Sequence, residues 1–104
     1  MRAAKVDENQ KQIVKALRDM GCSVQHLHAV GKGCPDLLIG YKGFNLLLEV
    51  KDGNKSPSQQ KLTPDQHIWH NGWRGYVDVV NSVDSAILAV LRYSRDLADL
   101  DDLK

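Results

Sequence analysis

The chain is short of the residues that mark the simplest answers. Its 104 residues include 2 cysteines, Cys22 and Cys34. Neither stands in a Cys-x-x-Cys pair, which excludes a disulfide framework and a thiolate zinc site and leaves two reduced thiols as the expectation. With 3 prolines, 8 glycines and 42% hydrophobic residues, the composition excludes disordered, collagen-like and low-complexity classes. Apolar runs fall far short of the ~20 residues a membrane helix needs. Met1-Arg2-Ala3-Ala4-Lys5 leads into polar and charged sequence rather than an apolar stretch, so no signal peptide and a cytoplasmic location are expected. Net charge is only +1, which by itself gives no argument for a polyanionic partner. Its distribution is uneven, however. Residues 1–61 carry 10 Lys/Arg against 6 Asp/Glu and residues 62–104 carry 4 against 7, which directs any anionic partner to the first half.

The length supports a single domain, 1–104, with one modest core over about residues 6–91. Val6, Ile13, Val14, Leu17 and Met20 recur at helical spacing before Gly21 and predict a first helix. Cys22 to Ala29 alternates loosely and reads as a strand. Gly31-Lys32-Gly33-Cys34-Pro35 is a glycine-rich turn. Asp36–Tyr41 and Phe44–Lys51 are branched, apolar runs joined by Lys42-Gly43, the signature of a tight hairpin. Asp52 to Leu62 reads as a polar loop without periodicity. Thr63-Pro64-Asp65-Gln66 places a capping threonine, a proline at the first helical position and a glutamine at the third, opening a helix to about Asn71. A strand over Gly75–Asn81 follows. Ser82 caps a last helix striped by Val83, Ile87, Val90, Leu91 and Leu97, whose acidic end, 96–104, is expected to fray. The order is αβββαβα, an α/β arrangement with a mixed central sheet flanked by helices.

The hairpin concentrates chemistry. With Lys42-Gly43 at its tip, Tyr41 faces Phe44, and the same register brings Asp36 opposite Glu49. Lys51 lies two residues beyond Glu49 and shares its face together with Leu38 and Leu47, while Leu46, Leu48 and Val50 point the other way. Like charges in facing positions destabilise a sheet by up to about 1 kcal/mol. Lys51 offsets part of this, and two hard oxygen donors converging on one point are also how Mg²⁺ or Mn²⁺ is held. A solvated polar face of Glu and Lys is the plainer reading of the same residues.

Pro35-Asp36, followed after twelve residues by Glu49-Val50-Lys51, resembles the PD-(D/E)XK motif of restriction-endonuclease-like nucleases. The longer string, from Gly33 through Gly40, Leu48 to Lys51 and Leu62 to Gln66, is similar to small phage and bacterial VRR-Nuc proteins of that superfamily. The resemblance implies a restriction-endonuclease-like core and a metal-dependent endonuclease acting on DNA. It assigns Asp36, Glu49 and the main-chain carbonyl of Val50 to a Mg²⁺ or Mn²⁺ ion, and Lys51 to the attacking water and the transition-state charge. It further implies an acid on the first helix, a glutamine (Gln66) near the site, and a homodimer cutting branched DNA such as four-way junctions, or a partner protein that supplies specificity.

Several positions carry two readings. Glu8 has the spacing expected of the helix acid, whereas helix geometry puts Asp7 nearer the apolar stripe; either also suits the positive end of a helix dipole. Gln66 completes a capping box as readily as a site. Lys32, with the flanking backbone of Gly31 and Gly33, and Lys55, Ser56, Gln60 and Lys61 in the following loop are placed to meet a DNA backbone. His26/His28 and His67/His70 form no recognised zinc pattern, and the second pair reads as helix surface or interface. Trp69 and Trp73 read more readily as core or subunit contact than as base-stacking groups. A non-catalytic DNA-binding module and a phage assembly protein are the rival functions, and neither predicts a magnesium site at Asp36 and Glu49.

Overall fold

The computed structural model describes residues 8–102, with side chains described over 8–95. The order is α1 (Glu8–Asp19), β1 (Ser23–His26), β2 (Leu37–Tyr41), β3 (Phe44–Val50), α2 (Pro64–Gly72), β4 (Val77–Val80) and α3 (Val83–Asp102), with a 3₁₀ turn at Pro57–Gln60. The expected order and mixed sheet are present. The strands line up as β1-β2-β3-β4; β1, β2 and β3 pair antiparallel and β4 joins β3 in parallel.

Local chemistry accounts for the boundaries. Gln10, Ile13, Val14 and Leu17 form one buried stripe of α1. The helix stops at Gly21, whose φ of 103° suits the left-handed residue of a Schellman turn. Gly21 N–H donates to Arg18 O at 3.1 Å and Cys22 N–H to Leu17 O at 2.9 Å. Cys22 and Leu17 then join the same core. The hairpin has the expected register, Tyr41 opposite Phe44 and Leu37 opposite Leu48. Lys42 and Gly43 both have positive φ, 45° and 87°, as a type I′ turn requires. β1 is shorter than its sequence suggests. Leu27 N–H still donates to the Asp36 carbonyl at 2.8 Å, but Leu27 O accepts from Val30 N–H at 2.9 Å, and this turn ends the strand at His26.

The core lies on one face of the sheet. Leu37, Ile39, Leu46, Leu48, Val50 and Val80 pack there against Ile13, Val14 and Leu17 of α1 and Ala86, Ala89 and Val90 of α3. The opposite face is covered unevenly. Along β3, Asn45 is exposed whereas Leu47 and Glu49 are buried, because α2 reaches only the end of the strand. β4 is an edge strand, and it is blunted. Asp78 Oδ1 accepts from Val79 N–H at 2.8 Å and Tyr93 Oη donates to Val77 O at 3.4 Å, capping main-chain groups that another strand would use.

The acid cluster sits at the end of the two central strands. Two expectations change. The segment 52–62 is not structureless. It contains the 3₁₀ turn and is clamped by Gln60, whose Nε2 donates to Lys55 O at 2.8 Å and whose Oε1 accepts from Asn81 Nδ2 at 2.9 Å. The last helix runs to Asp102, through most of the segment expected to fray.

Candidate active site

Asp36 sits one residue ahead of β2 and is fixed by a main-chain donor: its Oδ2 accepts from Val50 N–H at 2.7 Å. That bond takes the place of a backbone ladder bond and explains why β2 begins at Leu37. Glu49, on the α2 side of β3, is only 3% exposed. Its Oε2 accepts from Gln66 Nε2 at 3.2 Å and lies 3.9 Å from Lys51 Nζ. Its Oε1 is buried with no hydrogen-bond partner.

Lys51 Nζ donates to Gln66 Oε1 at 2.7 Å, and Thr63 N–H donates to the same oxygen at 2.9 Å. An ammonium and a main-chain N–H can only donate, so the Gln66 oxygen faces them and its NH₂ must face Glu49. Gln66 N–H in turn donates to Thr63 Oγ1 at 3.3 Å. The two readings of this residue therefore coincide, since one side chain closes the capping box of α2 and bridges Lys51 to Glu49.

The electrostatics follow from this burial. Desolvation first, then the neighbouring Asp36 carboxylate, push the Glu49 carboxyl up to about 8, and Lys51 pulls the other way. Two ionised carboxylates are both acceptors, so Asp36 and Glu49 can hydrogen-bond only with a proton between them. The Cys34 thiol is raised by burial and by the charges of Glu49 and Asp36, which places it beside the pair. A buried acid with one oxygen left without a hydrogen-bond partner is what a hard divalent cation satisfies. The residues fit such an ion: Mg²⁺ is commonly held by one or two carboxylates, with water and phosphate completing its shell.

The surroundings include residues that sequence reasoning missed. From α1 it is Asn9 that reaches the site. Its Nδ2 donates to Lys51 O at 2.8 Å and to Asn81 O at 3.2 Å, joining the start of α1 to the ends of β3 and β4. Glu8 is exposed, and among the described residues no group of three or more His, Cys, Asp or Glu is placed to hold a metal. The helix acid is thus not delivered by Glu8, because the adjacent position turns toward the sheet. Asp7 lies outside the described residues. His70, expected at the helix surface or an interface, is half-buried within the chain itself, with an unpartnered, buried Nε2. Burial foremost, then the charges of Lys51 and His67, push its pKa down, opposed by Asp78. The available signal was spacing, since His70 follows Gln66 by four residues and shares its helix face.

The glycine-rich turn has a structural task. Gly31, Lys32 and Gly33 have φ of 75°, 54° and 85°, and a Cβ on Gly33 would overlap the Asp65 carbonyl at the start of α2. This close approach seats the helix turn that carries Gln66. Lys32, Lys55, Ser56 and Lys61 are exposed. Ser56 Oγ contacts Ser58 Oγ at 3.2 Å, and the Gln60 amide is engaged at both ends in the loop clamp.

No family model matches the chain, and no curated protein does. Among solved structures, the chain is similar to a VRR_NUC domain at 29% identity and a TM-score of 0.61, over 81% of this chain and 91% of that one. The mixed four-stranded sheet, its order of elements and this likeness identify a restriction-endonuclease-like fold. Among the described residues no helix is long and apolar enough to cross a membrane.

Proposed function

We propose that the chain is a divalent-metal-dependent endonuclease that hydrolyses phosphodiester bonds in DNA. The observation that carries this reading is the buried Glu49 carboxylate, orphaned at Oε1, beside Asp36 and within 3.9 Å of the Lys51 ammonium. The likeness to a VRR_NUC domain supports a nuclease-type role in DNA processing. A protein that only bound DNA would gain nothing from acids directed at phosphate.

Asp36 and Glu49 would hold Mg²⁺ or Mn²⁺, with the Val50 carbonyl as a third donor. In an extended strand the N–H and C=O of one residue point to the same side, and Val50 N–H already points to Asp36. When bound, the ion supplies Lewis-acid polarisation of the scissile phosphate. Lys51 is held by Gln66, so its ammonium is oriented before substrate arrives and can orient the attacking water and offset charge developing on the phosphate. Asn9 locks the Lys51 main chain. Glu49 would have to be ionised for two negative carboxylates to hold the cation. Lys32, Lys55, Ser56 and Lys61 meet the DNA backbone, and Lys32 does so from a left-handed conformation that costs a non-glycine residue about 1–2 kcal/mol. A homodimer with two sites suits paired incisions in branched DNA, four-way junctions included, and a partner protein is the other route to specificity. Both steps rest on analogy of fold.

The test is cleavage of supercoiled plasmid, duplex, single strand, flap and four-way junction with Mg²⁺ or Mn²⁺, beside Asp36→Ala. Cleavage that requires both metal and Asp36 is expected. Folded protein that neither cuts any substrate nor binds metal by calorimetry would overturn the proposal.

A further inference from the structure

The candidate site leaves one prominent feature unused. The chain has 2 tryptophans, and they are stacked on each other. The rings of Trp69 and Trp73 lie 4.7 Å apart at 18°, at the C-terminal end of α2. The pair is not core, because α2 has no buried residue, and 46% of Trp73 remains exposed. Trp69 covers one face of the Trp73 ring. Gly75 lies against the indole edge, where a Cβ would stand 3.0 Å from Nε1.

The pair is also placed in relation to the acids. At about 100° per residue, Gln66, Trp69, His70 and Trp73 share one side of α2. Gln66 touches Glu49 and Lys51, and the ring of Trp69 meets that of His70 edge-on at 6.0 Å. Seven residues of helix separate Gln66 from Trp73, about 10 Å, a short step along a nucleic-acid backbone. Exposed Lys61 and Arg74 flank the two ends of the helix, where they complement phosphates. An indole with one face already stacked and nearly half of the residue exposed is a preorganised platform. It offers the next layer of a stack without the entropy of ordering a loose side chain.

We infer that Trp73, backed by Trp69, stacks an unpaired base of a single-stranded DNA segment that runs from the acid pair along α2. This deepens the nuclease reading and rests on it: the substrate near the cut is expected to contain unpaired nucleotides. An intact duplex keeps its bases stacked internally and cannot use the platform.

Both tryptophans belong to the pair, so fluorescence excited at the red edge of the indole band, where the 3 tyrosines do not absorb, reports on it alone. The full chain is titrated in EDTA with an oligothymidylate and with a duplex of equal length, followed by fluorescence and, independently, by anisotropy of labelled DNA. The expected result is quenching by the single strand, tighter binding of it than of the duplex, and an affinity lowered about 5- to 150-fold by Trp73→Ala. Trp73→Phe retains most of the affinity, and far-UV circular dichroism checks that both variants fold. Equal binding of single strand and duplex, unchanged by Trp73→Ala, would overturn the platform while leaving a nuclease in place. A dimer that Trp73→Ala dissociates, with no effect on oligonucleotide affinity, would also overturn it in favour of a subunit contact. Absence of binding to any DNA would overturn the platform as well, and the metal-dependent cleavage assay decides the nuclease reading separately.

Discussion

Lys51 and Glu49 are held in opposite electrostatic conditions by one neighbour. Gln66 presents its oxygen to the ammonium and its NH₂ to the carboxylate, so each charge is oriented without being neutralised by direct contact, the gap between them being 3.9 Å. Lys51 lies at the end of β3 with its backbone bonded on both sides, N–H to Val80 O at 2.8 Å and O from Asn9 at 2.8 Å. Neither bond involves its side chain. Lys51→Met should therefore keep the fold while lowering cleavage by about 10²–10³-fold, the usual span for losing one preorganised donor at developing charge. Single-turnover cleavage at saturating Mg²⁺, beside thermal unfolding of the same variant, checks both halves of the expectation. Full cleavage by the variant would remove Lys51 from the mechanism.

At the scale of elements, α2 is positioned by contacts at its first turn rather than by a buried apolar stripe. Thr63 and Gln66 cap it, and the backbone of Gly33 touches it. Gly33→Ala meets both a left-handed φ of 85° and the Asp65 carbonyl, so the first turn of α2 must shift and carry Gln66 away from Glu49. A loss of about 1–3 kcal/mol of stability is expected, with a fall in activity larger than that loss of folded protein explains. Gly31→Ala is the control, because it shares the positive φ but meets nothing within 4 Å; it should lower stability and leave specific activity per folded molecule close to the parent. Equal specific activity in both variants would show that the turn does not position the helix. The capping box was legible in sequence from Thr63-Pro64-Asp65-Gln66 alone, since it is a local pattern. The seating of that helix on Gly33 was not, because it joins residues more than thirty positions apart.

For the whole molecule, the acid pair links metal, proton and stability. The Glu49 carboxyl stands at about 8 in the folded metal-free chain, against 4.5 as its ordinary value. Between those values the folded state holds a proton that the unfolded state has lost. Its contribution to stability is therefore fully present below about pH 4.5 and is lost as pH rises through about 8. In EDTA, the Glu49 contribution should lower the melting temperature progressively over that window. Glu49→Gln, a neutral isostere, should flatten this fall and be more stable than the parent above pH 8, with metal binding and cleavage abolished. Saturating Mg²⁺ should raise the parent's melting temperature most at the alkaline end, where no proton competes with the ion. Scanning calorimetry across pH, with and without Mg²⁺, measures all three. A parent and variant with parallel pH profiles would contradict the burial argument.

Sequence alone determined whatever repeats at short range. Helical spacing marked α1, Lys42-Gly43 set the hairpin register, Thr63 and Gln66 opened α2, and Pro35-Asp36 with Glu49-Val50-Lys51 pointed to a nuclease-like site. Periodicity and turn chemistry are local, so these features are legible in the order of residues alone. Tertiary structure decided which chemically plausible residues meet. It brought Asn9 rather than Glu8 to the end of β3, turned His70 inward beside Lys51, clamped the 52–62 segment through Gln60 and Asn81, and left the tryptophan pair open instead of in the core. The reason is physical. Burial and register depend on how α1, α2 and β4 pack around the hairpin, and a one-residue change of facing on a helix rotates a side chain by about 100°. Composition and spacing do not set that rotation; the packed core does.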